Sequence, residues 1–372
     1  MKGKKIFCGL MIILLLAGCL SGCASRAESK PAEQRLRVTL ITTQEHYEDP
    51  MIREMAVAAL KKAQTDFDLI LEFWRPKTAN AVIESVLQAT KNNSDLIIVP
   101  ALTDLGRLKQ IAANHPDNLY AVIGSDKDLG PNVMSLSLKE EEGAFMTGVI
   151  AGLTTQTGVI GLVDRTADAG TKRADIGFRA GVKAVRPETQ IYTRHIKSYD
   201  NVALGKMIAL ELIDEKNTDI IFQNAGSSGL GVIAAAGERD IWVIGSNLDQ
   251  SSLDPEHVLC SMHKKIDDAV YFAVQSMVKN RFKGGVRSFG LDFMAVGYSD
   301  GAGNVPKEMV SIADAFGVAI ALGDLVIPQT KAQLEEFSIP AGGWSFLPRL
   351  KPDIAVNKAA DGPTLEPVRP GN

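Results

Sequence analysis

From Arg37 onward, short apolar runs alternate with longer stretches in which hydrophobic positions recur every three to four residues. The runs 38–41, 69–73, 96–99, 119–123, 159–163, 190–192, 219–222 and 242–244 predict strands. The amphipathic stretches 51–66, 78–91, 104–114, 140–153, 172–185, 201–215 and 229–238 predict helices, as do 264–279 and 305–322. Strands spaced by helical patterns of about 10–15 residues indicate βαβ units and a parallel sheet. Parallel strands are covered on both faces, which suits a run such as Leu96-Ile97-Ile98-Val99 with no polar alternation. Eight runs exceed one tidy sheet, and a second cycle starts near Gly158, so two similar α/β lobes are expected. The stretch from Glu140 opens with three acids and is shorter than a membrane span, which predicts a buried helix. Within it, Gly143, Gly148 and Gly152 share one face and allow close approach of another element. The end, 331–372, carries six prolines from Pro340 to Pro370 and predicts a Pro/Gly-rich tail, either a strap over the body or disordered.

The first residues set the compartment. Lys2, Lys4 and Lys5 precede an apolar run, 6–16, too short to cross a bilayer and closed by small residues before Cys19 and again before Cys23. This pattern resembles a bacterial lipobox, in which the Cys is acylated. It predicts a lipoprotein signal peptide over 1–22, a lipid anchor on Cys23 (or Cys19) and a polar tether over 23–36. The expected location is the extracytoplasmic face of a cell membrane. The hydrophobic fraction of 45% and charged fraction of 23% are ordinary for a globular body. Net charge is −4, and loss of the three leader lysines leaves −7, with no Lys/Arg stripe for nucleic acid. Of four cysteines, Cys260 lies in an apolar stretch and is expected to be a small core residue rather than a nucleophile.

Catalytic motifs are missing from the sequence. None of the five His forms an H-x-x-x-H pair, and there is no C-x-x-C, G-x-S-x-G or Walker A loop. No enzyme, metal or cofactor is expected. The loop Asn224-Ala225-Gly226-Ser227-Ser228-Gly229-Leu230-Gly231 follows a strand and opens a helix. Its glycine order differs from the dinucleotide fingerprint. Gly229 offers either a backbone N–H for a ligand oxygen or a tight turn into the helix.

Four motifs occur in series: Gly177-Phe178-Arg179-Ala180-Gly181, the Gly226–Gly231 loop with Val232-Ile233-Ala234-Ala235-Ala236, Val243-Ile244-Gly245 leading to Asp249-Gln250, and Ser261-Met262-His263-Lys264. Together with Glu140-Glu141-Glu142-Gly143-Ala144-Phe145 they resemble the basic membrane protein family of lipoproteins, the PnrA-like purine nucleoside receptors of ABC importers. The resemblance spans roughly 38–328. It implies a type I periplasmic-binding-protein fold: two doubly wound parallel-sheet lobes, a multi-strand hinge and a ligand in the cleft. Lobe I is expected over 37–138 plus 247–285, and lobe II over 139–246 plus 286–330. An ABC permease is the implied partner and a nucleoside-like small molecule the implied ligand.

The family's pocket carries over unevenly. Its motif Asp-x-Ser-Phe-Asn matches Asp49-Pro50-Met51-Ile52-Arg53, so Asp49 is kept while the stacking aromatic becomes Ile52. A second aromatic slot is similar to Tyr199. The ribose-binding acid becomes Asn247, the lysine is kept as Lys264, and the acid expected at the strand end before the first crossover becomes Gly124, with Asp126 nearby. Asp49 before Pro50 also reads as a plain helix cap. Lys264, expected at a helix start, would oppose the helix dipole unless a ligand used it. The implied ligand set is Asp49, Ile52, Tyr199, Gly229, Asn247 and Lys264.

Overall fold

The computed structural model describes residues 35–43, 49–100, 102–165, 169–198 and 200–339. The expected signal peptide, both candidate anchor cysteines, most of the tether, Tyr199 and residues 340–372 lie outside the described residues.

Two six-stranded sheets repeat one strand order. In the first, β1 (Arg37–Ile41), β2 (Ile70–Trp74), β3 (Leu96–Pro100), β4 (Leu119–Ile123), β5 (Val133–Leu138) and β11 (Gly285–Phe289) run in the order 11-5-4-3-1-2, all parallel. The second contains β6 (Val159–Arg165), β7 (Gln190–Ile196), β8 (Ile220–Asn224), β9 (Trp242–Asn247), β10 (Val258–Lys264) and β12 (Val296–Ser299). Its order is 12-10-9-8-6-7, with only β12 antiparallel. Both sheets are doubly wound.

Helices cover both faces of each sheet. On the first, α1 (Pro50–Phe67) and α8 (Ile266–Val278) share one apolar cluster, while α2 (Ala79–Lys91) and α3 (Leu105–Asn114) share another. On the second, α4 (Glu140–Thr154), α5 (Ala169–Val185) and α9 (Lys307–Ala321) form one layer. The opposite layer holds α6 (Val202–Lys216) and α7 (Gly229–Glu238). Burial of the strands on both faces leaves runs such as Leu96–Val99 with essentially no exposed surface, the main apolar gain of each lobe. Cys260 sits in this core, as its apolar surroundings suggested, and burial pushes its thiol pKa up.

Glycines set the contact between α4 and α5. A Cβ on Gly148 would lie 2.2 Å from the Phe178 carbonyl oxygen, and one on Gly181 would lie 2.0 Å from that of Phe145. The two backbones therefore touch, and Phe178 stacks on Phe222 at 4.8 Å beneath them. The expected glycine face of α4 is used in this way at Gly148 and Gly152.

The chain crosses between the sheets three times, after β5, after β10 and between β11 and β12. This differs from the expected lobe bounds at two places. Strand β10, placed by sequence in lobe I, pairs with β9 in the second sheet, and β11, placed in lobe II, pairs with β5 in the first. The strand before the first crossing is β5, so Gly124, which follows β4 with φ 82°, does not end it. Nor does the body stop at residue 330. A short helix, α10 (Lys331–Glu336), begins with a capping box on Thr330, and Leu334, Phe337 and Ile339 pack on the second lobe.

The three acids opening α4 clip these crossings together. Glu142 accepts from the Leu291 N–H at 2.8 Å and pairs with Lys139. Glu141 accepts from Gln329 at 2.6 Å and faces Arg173 at 3.3 Å, and Arg173 also donates to the Leu138 carbonyl at the end of β5. Glu140 takes Lys264. Acids in a helix's first turn also suit its dipole.

Candidate functional site between the lobes

In open α/β sheets, ligands sit beyond the carboxyl ends of the strands, where strand order reverses. In the first sheet that reversal lies between β1 and β3, and in the second between β6 and β8. The turn after β8, Gly226–Ser228, contacts α1, the helix that follows β1.

Asp49 fulfils the cap reading and a second role. Its Oδ1 accepts from the Met51 N–H at 3.0 Å, starting α1 with Pro50 in the first turn. Its Oδ2 accepts from Asn247 Nδ2 at 2.8 Å, a contact from the first lobe to the second. Both residues are at least 96% buried, and Asn247 holds φ 71°, a left-handed conformation that Asn tolerates. Burial raises the Asp49 pKa; the Met51 N–H, the Lys264 charge, the Asn247 amide and Arg165 oppose that rise in decreasing order. Among the described residues, the buried Asn247 Oδ1 has no hydrogen-bond partner, which leaves an acceptor unmet.

Lys264 is not at a helix start. It is the last residue of β10, 6% exposed, and its Nζ donates to Glu140 Oε2 at 3.1 Å. Lys265 caps α8, so Lys264 lies before the cap and outside the first turn of that helix. Ile52 lies in the first turn of α1, half-buried against the apolar cluster of the first lobe. The Gly229 N–H donates to the Gly226 carbonyl, and a Cβ there would lie 1.9 Å from Gln223 Oε1. In this conformation Gly229 serves the tight turn rather than offering its N–H outward. Asp126 lies 3.5 Å from Arg173, at the crossings.

Several residues at the site lie outside the ligand set implied by the resemblance. Gln250 Oε1 accepts from Gln223 Nε2 at 2.5 Å and from the Ser246 N–H at 2.9 Å, while its own N–H donates to Ser261. This buried relay fixes the ends of β8, β9 and β10 relative to one another. Asp164 is the next-to-last residue of β6, beside Arg165, and is 2% exposed; desolvation first, then the Asp175 charge, push its pKa up to about 8. Among the described residues, Asn224 Nδ2 and Ser246 Oγ are buried without hydrogen-bond partners. Gln250 and Asn224 stand in stretches the sequence analysis singled out, whereas for Asp164 and Ser246 the only sequence signal was position: a polar residue closing an apolar run.

Among the described residues, the arrangement has polar groups but no nucleophile hydrogen-bonded to an adjacent base. Among the described residues, no group of three or more His, Cys, Asp or Glu is placed to hold a metal. A family profile for the ABC transporter substrate-binding protein PnrA-like family matches residues 39–331. The chain belongs to this family.

Relatives agree across the length of the family member. It is 26% identical over 356 residues to a CD4+ T-cell-stimulating antigen of Listeria innocua, covering 88% of this chain and 99% of that protein. It is 25% identical over 335 residues to basic membrane protein A of Borreliella burgdorferi, covering 88% and 97%. Its fold is similar to an ABC transporter solute-binding protein from Aeropyrum pernix (TM-score 0.70, 20% identity, 81% of this chain and 96% of that one). It is also similar in fold to a periplasmic ribose ABC transporter protein from Conexibacter woesei (TM-score 0.59, 14% identity, 74% and 95%). The family and these neighbours are solute-binding proteins, and ABC solute-binding proteins take a small-molecule ligand to a permease.

Proposed function

We propose that this family member is a lipid-anchored receptor on the extracytoplasmic face of a cell membrane that captures a purine nucleoside and delivers it to an ABC permease. The observation that carries the ligand reading is the buried Asp49–Asn247 contact across the lobes, with the Asn247 carbonyl unpartnered and Lys264 close enough to bias the Asp49 charge. Ribose hydroxyls donate and accept, so they satisfy an amide oxygen and a carboxylate together. Closing two lobes over such a ligand replaces the direct contact with one through the solute. The leader pattern supports the anchor, and among the described residues no helix is long and apolar enough to cross a membrane.

Ile52 supports a second reading, a sensory lipoprotein for a non-nucleoside ligand, because an aliphatic side chain covers a ring face without aromatic stacking. Calorimetric titration with inosine, guanosine and adenosine separates the two, using protein stripped of carried-over ligand by unfolding and refolding. Micromolar or tighter binding is expected, with Asn247→Gly weakening it at least about tenfold, or 1.4 kcal/mol. Glycine keeps the left-handed backbone and removes only the amide. Correctly folded protein that gives no heat with any of the three would reject the nucleoside and favour the sensory reading.

A further inference from the structure

The second sheet reverses its strand order between β6 and β8, and the last residues these strands pair there are Asp164, next to the end of β6, and Asn224, at the end of β8. They are register partners, so their side chains share one side of the sheet. Asp164 is 2% exposed and Asn224 6%, yet among the described residues Asn224 Nδ2 has no hydrogen-bond partner, and the Asp164 carboxylate accepts from the backbone N–H of Arg165, at 2.8 Å. Ser246, near the end of β9, has an unpartnered buried hydroxyl as well. A native lobe seldom buries this many unmet polar groups at one spot unless a ligand meets them. The spot adjoins the cleft: Glu140, which holds Lys264, is close enough to act on the Asp164 charge, and Arg165 on that of Asp49.

We propose that Asp164 and Asn224 form a hydrogen-bond subsite for two adjacent acceptor atoms of the ligand, and that it selects 6-oxopurine nucleosides over 6-aminopurine ones. The proposal rests on the nucleoside reading above. The Asn224 amide brings a free donor. Asp164 brings a second, because burial and the negative charges of Asp175 on α5 and Glu140 on α4 favour its protonated form, opposed by the Arg165 N–H and guanidinium. His195 on β7 is the remaining side chain in register with Asp164. Two donors side by side match the O6 and N7 acceptors of a 6-oxopurine. A 6-aminopurine presents a donor in place of O6 and leaves one of the pair unmet.

Inosine and adenosine share the ribose and differ at this position, so calorimetry with both isolates the subsite. Wild-type protein is expected to bind inosine at least tenfold more tightly than adenosine at pH 7. Asp164→Ala and Asn224→Ala are each expected to cut that ratio below threefold. Asp164→Asn, which keeps a donor in the same volume, restores the preference. Inosine affinity in the wild type falls as pH rises from 7 to 9, whereas in Asp164→Asn it does not. Equal or tighter adenosine binding by the wild type, or an unchanged ratio in Asp164→Ala, overturns the proposal. If neither nucleoside binds the wild type, the nucleoside reading fails by itself. The donor pair is then decided by 13C NMR of the Asp164 carboxyl carbon, assigned by its loss in Asp164→Asn. A titration midpoint near 8 keeps the pair, and one in the ordinary carboxylate range removes it.

Discussion

Gly181→Ala is expected to destabilise the second lobe by about 3 kcal/mol, although alanine is the better helix former by about 1 kcal/mol. Gly181 lies inside α5, and its new Cβ would fall 2.0 Å from the Phe145 carbonyl oxygen and 2.9 Å from the Val149 nitrogen. These are backbone atoms of α4, and no rotamer change relieves them. The helices must part, and that loosens the packing of Phe145, Phe178 and their neighbours in the core. Gly106→Ala provides the control of opposite sign. Gly106 is exposed near the start of α3, and its added Cβ meets nothing nearer than Asp104 Oδ1 at 3.9 Å. It should gain a few tenths of a kcal/mol from helix propensity. Urea unfolding of both variants checks the pair, and comparable stability for both would mean that α4 and α5 do not touch as described.

The second large effect lies at Lys264. Replacing it with methionine keeps the stem and removes the charge, leaving the Glu140 carboxylate, 14% exposed, without its partner. Breaking a buried pair from one side costs about 3 kcal/mol or more. The double variant Lys264→Met with Glu140→Gln should recover most of that loss, because the uncompensated charge is gone. Urea unfolding of the wild type and both variants checks the pair. A single variant as stable as the double would place Glu140 in water and remove the clip between the first two crossings.

Much of the fold was legible because helical and strand periods differ. The nine helical stretches and eight apolar runs read from the sequence correspond to α1–α9 and to β1–β4 and β6–β9, with small shifts at their ends. Strands β5, β10, β11 and β12 were not legible, for local reasons. In β5 the apolar run is broken by Ser135 and Ser137, which are buried because Ser135 donates to the Lys127 carbonyl and Ser137 meets Arg173. In β10 a Ser, a His and the terminal Lys interrupt the run, and β12 has four residues. Missing these strands is what displaced the lobe bounds, since β10 and β11 each belong to the sheet opposite the one expected.

The site was less legible than the fold. Asp49 could be read as a cap from Pro50 alone, but its contact with Asn247 joins residues 198 positions apart, which no local pattern encodes. Lys264 was visible as a residue while its place at a strand end was not, because β10 itself was missed. Asp164 left only the faint mark of a polar residue closing an apolar run, and Asn224 was visible only as the first residue of the glycine loop. Their meaning came from the strand order, which shows that they flank the reversal in the second sheet.

Hydrogen–deuterium exchange with and without saturating inosine tests the central claim, a solute held between the lobes, most directly. The account predicts that slowed exchange appears on both walls together: the first turn of α1 after Asp49, the ends of β6 and β8 at Asp164 and Asn224, and the end of β9 at Asn247. The crossings should slow as well, as the lobes close over the ligand. Protection confined to one lobe, or found only at the surface groove lined by Arg179, Lys183 and Leu334, would contradict it.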